Sequence, residues 1–258
     1  YSEHVDGQQQ AGGAATNVSL SLAHQKKPVL LKSQIGVDDV GYQVFRFLTD
    51  NNVNCDNVIR ENTTSVSIAT LTDQKNCTYS RVMNTFVMRS LDLDKITQKI
   101  QVVVCSGSSL KTQLLQQEII DFVNKQNATF YLDLNPRQGL EYEDIKILTQ
   151  RANFMHISSD DLRFYPKEVF EKALNQFILV TNKAWVKCFL NGKMICKVKV
   201  DVLEKEQIIN TIGAGDSFNA GFIDEFLEKE IQVEEIMKRI ENGIKNSRIV
   251  CQKREAWV

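Results

Sequence analysis

Two hydrophobic periods alternate along this chain. Val18, Leu20, Leu22 and Ala23 follow Gly12-Gly13-Ala14-Ala15-Thr16-Asn17 and predict a helix that Pro28 ends. Residues 29–35 then predict a strand. The turn Gly36-Val37-Asp38-Asp39-Val40-Gly41 opens a helix whose apolar positions Val40, Val44, Phe47 and Leu48 keep the 3.6 period. Strand-like runs at 65–72 and 78–83 are separated by polar 73–76, which predicts a hairpin. Strands follow at 101–105, 129–134, 153–157 and 177–181, with helical patterns between them, the clearest at about 109–123. Ser158 reads as a helix cap. Asn191-Gly192 between 185–190 and 193–198 is the strongest short hairpin signal. Phe218, Phe222, Ile223, Phe226 and Leu227 recur at helical spacing, and Val233, Ile236, Met237, Ile240, Ile244 and Cys251 mark a last amphipathic helix. Strands alternating with helices predict an α/β fold with a mostly parallel sheet covered on both faces. The 65–83 hairpin interrupts that rhythm and predicts a small antiparallel flap.

Composition adds little beyond exclusions. The 258 residues suit one large domain or a domain with a small appendage. A net charge of −1 supplies no field to recruit nucleic acid or an anionic membrane. No apolar run approaches a membrane span, and no signal-peptide pattern opens the sequence. The six cysteines form no Cys-x-x-Cys pair and predict small buried hydrophobes in a reducing compartment, the cytoplasm. His4, His24 and His156 are scattered without zinc spacing. Residues 1–11 are polar and unpatterned.

The chemistry concentrates in Thr211-Ile212-Gly213-Ala214-Gly215-Asp216-Ser217-Phe218. Glycines before an apolar helix predict a tight turn whose first N–H groups point outward and favour an anion. Asp216 is a poor neighbour for a phosphate but a suitable base for a hydroxyl attacking one. The competing reading is a plain turn followed by an Asp helix cap. Taken alone, these residues favour the cap.

Other segments change that balance. A Gly-Gly-x-x-x-Asn helix start, a Gly-x-Asp-x-x-Gly turn, a flap hairpin and an Asp-x-Asn-x-Arg strand end precede the Gly-Ala-Gly-Asp loop, in that order. Over nearly its whole length the chain resembles the ribokinase-like (PfkB) carbohydrate kinases. Some segments are similar to ketohexokinases and others to bacterial fructokinases. The resemblance implies a three-layer α/β/α sandwich with a mostly parallel central sheet and a small β lid. The lid would comprise 1–11 and 63–90, and the core 12–62 and 91–258. It implies ATP and Mg²⁺ as reactants and a small sugar as acceptor. Apart from the resemblance, the exposed edge of the flap suits pairing with a second copy as a homodimer through the lid, and the oligomeric state stays open. Asp216 would be the base, and the N–H groups of Gly213, Ala214 and Gly215 would stabilise the transferring phosphoryl group. Gly12, Gly13, Asn17 and Arg137 would contact the sugar. Thr181, Lys183, Gly213 and Gly215 would border the nucleotide, and Asp161 would help hold the metal. Plainer readings stand beside these: Gly12-Gly13 as a turn, Asp38 as a cap, Asp133 with Arg137 as a salt bridge, Thr181 as a strand end, Lys183 as a solvated cation.

Three departures bear on activity. The family opens with a strand carrying a sugar-binding aspartate, whereas only eleven residues precede Gly12 here. The sequence therefore reads as a fragment or as a chain without its normal activity. Ser158 and Asp161 stand where the family has Asn-x-x-Glu. Asn182-Lys183-Ala184-Trp185 replaces the glycines expected after Thr181. Two functions remain open: an ATP-dependent sugar kinase, and a non-catalytic relative that binds nucleotide or sugar. A Rossmann dehydrogenase is disfavoured, because the glycine loop is near the C-terminus and lacks Gly-x-Gly-x-x-Gly spacing.

Overall fold

A computed structural model describes residues 2–5, 8–71, 77–81, 90–106, 112–134, 142–171, 174–223 and 231–258. Its elements begin β1 (Ser2–Val5), β2 (Gln8–Ala11), α1 (Ala14–His24), β3 (Gln34–Ile35), α2 (Asp39–Asp50), β4 (Ile59–Arg60), β5 (Val66–Leu71), β6 (Cys77–Arg81) and β7 (Val102–Ser106). They continue α3 (Gln113–Gln126), β8 (Thr129–Asp133), α4 (Tyr142–Arg151), β9 (Phe154–Ser158), α5 (Glu168–Glu171) and β10 (Phe177–Thr181). The last are β11 (Trp185–Leu190), β12 (Lys193–Lys199), α6 (Ala214–Ile223) and α7 (Val233–Cys251). The chain divides into two compact units. Tyr1–Met88, Leu203–Asp224 and Glu241–Val258 make one; Arg89–Val202 and Glu225–Ile240 make the other.

In the first unit, the predicted hairpin forms as β5 and β6, and residues 1–11 join it. The resulting sheet has the order β2-β1-β5-β6, with β1 parallel to β5 and antiparallel to β2. The strands at 2–5 and 8–11 had no alternating pattern to announce them. Their glutamine-rich sequence is held by ladder hydrogen bonds, which carry no side-chain signature. The strand predicted at 29–35 is shorter: only Gln34–Ile35 pairs regularly, parallel to β4. Upstream, Leu30 bridges Asn54 and the Leu31 N–H donates to the Asn54 carbonyl, so the segment still runs beside its partner.

Asp38 is the N-cap of α2, as the plain reading had it. Its carboxylate accepts from the Gly41 N–H (2.8 Å), the Thr64 N–H (2.8 Å) and the Thr64 hydroxyl (2.5 Å). Burial opposes the charge, but the Thr64 hydroxyl and the two N–H groups outweigh it and lower the Asp38 pKa. Leu20, Leu31, Ile35, Val44, Leu48, Val53, Ile212, Ala256 and Trp257 close the core of this unit.

The second unit is built on a six-stranded sheet of order β12-β11-β10-β9-β8-β7. β7, β8, β9 and β10 are parallel, and β11 and β12 return antiparallel. Asn191 (φ 52°) and Gly192 (φ 72°) make the hairpin turn with both central residues left-handed, as its strand twist requires. Tyr131, Phe154 and Phe177 are register partners across β8, β9 and β10, and their rings stack at 6.3 and 5.0 Å. Ser158 does not cap a helix. It ends β9, and its hydroxyl accepts the Asp160 N–H at 3.2 Å, folding 159–161 into a turn before a short 3₁₀ segment. Predicted residues 109–111, 135–137 and 226–227, Arg137 among them, lie outside the described residues.

Candidate active site

α1 and α6 pack against each other, and their sequences explain how. Both are short, rich in Ala, Ser and Gly, and buried on nearly all sides. Small side chains let the helices approach closely, and two pairs of polar side chains meet across the contact. Asn17 Nδ2 donates to Asp216 Oδ2 at 2.8 Å. One turn further along α1, the Ser21 and Ser217 hydroxyls meet at 3.5 Å. Asn17 is buried, whereas Asp216 is half-buried. Each helix follows a glycine in the left-handed region, Gly13 at φ 99° and Gly213 at φ 74°. Asn17 and Asp216 both lie in first turns. Two sets of N-terminal N–H groups, each carrying partial positive charge, therefore flank one carboxylate.

The loop before α6 is locked from below. Buried Asn210 donates to the carbonyls of Lys253 (2.7 Å) and Arg254 (3.2 Å) and accepts the Ile212 N–H (2.7 Å). A β-carbon at Gly213 would fall 2.0 Å from the Ala256 carbonyl oxygen, so only glycine fits there. The Ala214 N–H leans on the Thr211 carbonyl at 3.3 Å, a long bond, while the Ser217 N–H makes a normal helical bond to Gly213. Gly215 is exposed. One face of the turn is clamped to the chain's last residues and the other is presented to solvent.

In the second unit, a polar chain crosses the carboxyl ends of three parallel strands. His156 Nδ1 lies 2.7 Å from Asp133 Oδ1, and His156 Nε2 lies 3.0 Å from Thr181 Oγ1. A carboxylate only accepts, so Nδ1–H donates to Asp133; in the neutral ring Nε2 accepts the Thr181 hydroxyl proton. Asp133, His156 and Thr181 share the face of the sheet that carries the aromatic ladder. The face is thus aromatic at its amino half and polar at its carboxyl end. Burial, then the charge of Asp133, pushes the Cys105 thiol up to about 12 and raises Tyr131 well above its usual range. Tyr165 is raised by burial and by the charges of Asp161 and Asp133. These shifts favour the protonated forms of all three groups.

Of the remaining sequence-predicted residues, Gly12 is buried at the entry to α1. Asp161 is buried at the turn after β9. Lys183 is exposed at a tight turn where the Asn182 side chain accepts the N–H groups of Ala184 (2.8 Å) and Trp185 (2.9 Å). That side-chain turn closes the tight loop after β10 without a glycine. Among the described residues, no group of three His, Cys, Asp or Glu side chains gathers to hold a metal ion, and no helix is long and apolar enough to cross a membrane.

The model of pfkB family carbohydrate kinases matches residues 2–256. The chain belongs to that family. Among curated relatives, "Probable fructokinase-6, chloroplastic" of Arabidopsis thaliana is 24% identical over 244 residues, covering 83% of this chain and 62% of that protein. The chain thus spans less than two thirds of that pfkB relative's length. Fructokinase from Vibrio cholerae, solved in fructose-, ADP- and calcium-bound form, superposes with a TM-score of 0.81 at 16% identity, over 99% of this chain and 90% of that one. Aminoimidazole riboside kinase from Salmonella enterica, complexed with aminoimidazole riboside and an ATP analog, gives 0.79 at 13% identity, over 99% and 91%. The ribokinase-like α/β fold expected of a pfkB chain is the fold observed.

Three residues of these networks have partners that the sequence does not announce. His156 is one of three scattered histidines, and Asp133 reads equally as a site residue or as a salt-bridge partner of Arg137. Strand parity was the usable signal: residues 133, 156 and 181 fall on one face once their strands are taken as adjacent and parallel. Asn210 stood beside the glycine loop, but the carbonyls it holds lie more than forty residues away and left no local trace.

Proposed function

We propose that this chain is an ATP-dependent sugar kinase in which Asp216 takes the proton from the attacking sugar hydroxyl. The Asn17–Asp216 bond carries the reading. It fixes the carboxylate in place beside two helix starts suited to phosphate, where a substrate hydroxyl would meet its base. The exposed Gly213–Gly215 turn receives the transferring phosphoryl group on its N–H groups, and its rigid backing means little reorganisation as charge moves. Gly12, Gly13 and Asn17 border the sugar, with Arg137 as a further contact. The sheet of β1, β2, β5 and β6 serves as the lid, and its outer edge as the surface for a second copy. Thr181 and Lys183 border the nucleotide, at the strand ends where α/β proteins bind ligands.

Nucleotide and sugar binding by the Vibrio and Salmonella proteins supports these substrate classes. Magnesium would arrive on the nucleotide phosphates and neutralise their charge, with Asp161 as the single carboxylate offered for it. Hard cations bound mainly through phosphate and water fit so sparse a donor set. The test is a coupled phosphorylation assay with Mg-ATP across ketoses, aldoses and nucleosides, with calorimetry on the same samples. Turnover of at least one sugar is expected. Binding of nucleotide and sugar with no transfer to any acceptor would refute the catalytic reading.

A further inference from the structure

Cys188 and Cys196 stand directly opposite each other on β11 and β12, the two outermost strands at one edge of the second unit's sheet. Both thiols are free, Cys188 fully buried and Cys196 half-buried on the edge strand. Direct antiparallel partners hold their Cα atoms about 4.5–5.5 Å apart, within the span that a disulfide bridges. The Cys188 Sγ donates to the Phe189 carbonyl at 3.9 Å, and the nearness of the two thiols favours the thiolate at Cys196, lowering its pKa, and the protonated form at Cys188, raising its own. Elsewhere, burial raises Cys55, Cys105 and Cys251. One partly accessible thiol with a second, buried thiol directly opposite it in the ladder is the arrangement of an attacking and a resolving cysteine.

We propose that Cys188 and Cys196 form a reversible disulfide, closed by small-molecule disulfides such as oxidised glutathione and reopened by thiols. The Cys196 thiolate attacks one sulfur of oxidised glutathione, forming a mixed disulfide and expelling one glutathione thiolate. The Cys188 sulfur then attacks that of Cys196, and its proton passes to the second glutathione thiolate as that group leaves. Two protein thiols are oxidised, and one glutathione disulfide is reduced to two thiols. The bond staples the edge hairpin without linking distant parts of the chain, so it acts as a local redox mark.

The full chain is equilibrated in graded mixtures of reduced and oxidised glutathione, quenched in acid and digested with trypsin without reduction. Lys187, Lys193 and Lys197 place the two cysteines in separate peptides, 188–193 and 194–197. The expected product is these two peptides joined, with two thiols lost relative to the reduced chain and full recovery in dithiothreitol. Cys196→Ser must abolish the joined product. Cys188→Ala must trap glutathione on Cys196; should that core variant fail to fold, the Cys196→Ser result decides. Only glutathione adducts in the parent at every ratio, an unchanged thiol count, or two-thiol loss persisting in Cys196→Ser would each overturn the proposal.

Discussion

One substitution made at two nearby glycines separates packing from chemistry. Gly213→Ala meets a backbone φ of 74° and a β-carbon position 2.0 Å from the Ala256 carbonyl oxygen. The left-handed conformation costs a non-glycine residue about 1–2 kcal/mol. Relieving the clash requires moving backbone next to fully buried Ala256 and nearly buried Trp257, an overpacking cost of about 1–3 kcal/mol. The sum is roughly 3 kcal/mol, and at about 3 °C per kcal/mol the melting temperature falls by about 10 °C. Gly215→Ala sits at an exposed helical position with no positive φ. It gains up to about 0.5–1 kcal/mol by restricting the unfolded chain, so melting is unchanged or slightly raised. Its methyl group, however, projects from the turn proposed to face the phosphoryl group, and phosphotransfer should fall at least about tenfold. Thermal and urea unfolding read the stabilities, and a coupled assay reads the rates. Gly213→Ala within about 0.5 kcal/mol of the parent would refute the clamped-loop geometry. Gly215→Ala with unchanged kcat/KM would show that the exposed face is not the phosphoryl site.

Two other sites yield stability predictions. Asp38→Ala removes the α2 cap and the acceptor for two Thr64 donors, costing about 2 kcal/mol at neutral pH by urea unfolding. The folded Asp38 pKa is depressed, so its contribution is full above the unfolded carboxylate value and lost as pH falls through the folded one; variant and parent should converge in acid. His156→Phe strips the buried Asp133 carboxylate of its donor, at a cost of about 2–3 kcal/mol. His156→Phe that unfolds with the parent would mean that the network across β8, β9 and β10 is idle.

Long periodic segments were legible in the sequence. α2 and α7 carried the 3.6 period, the parallel strands were continuous apolar runs, and Asn191-Gly192 announced its hairpin through the φ signs it needs. The glycine loop and Asn17 were legible only together. Neither motif alone outweighs a turn or a cap, but the fold brings them within 2.8 Å. What stayed hidden was non-periodic or long-range. The ladder of β1 and β2 has no side-chain pattern, and Asn210 bonds to carbonyls over forty residues away. The Asp133–His156–Thr181 chain depends on which strands become neighbours, which residue type does not reveal.

The central claim concerns the carboxylate of Asp216. Asp216→Asn keeps the shape and still offers Asn17 an oxygen, so the α1–α6 contact and the fold should survive. Turnover of whichever sugar the parent phosphorylates should fall by about 10²–10⁴, the usual worth of a positioned general base. Nucleotide affinity by calorimetry should change less than about threefold, well under 1.4 kcal/mol. A folded Asp216→Asn enzyme that binds ATP and keeps near-parental kcat would contradict the account.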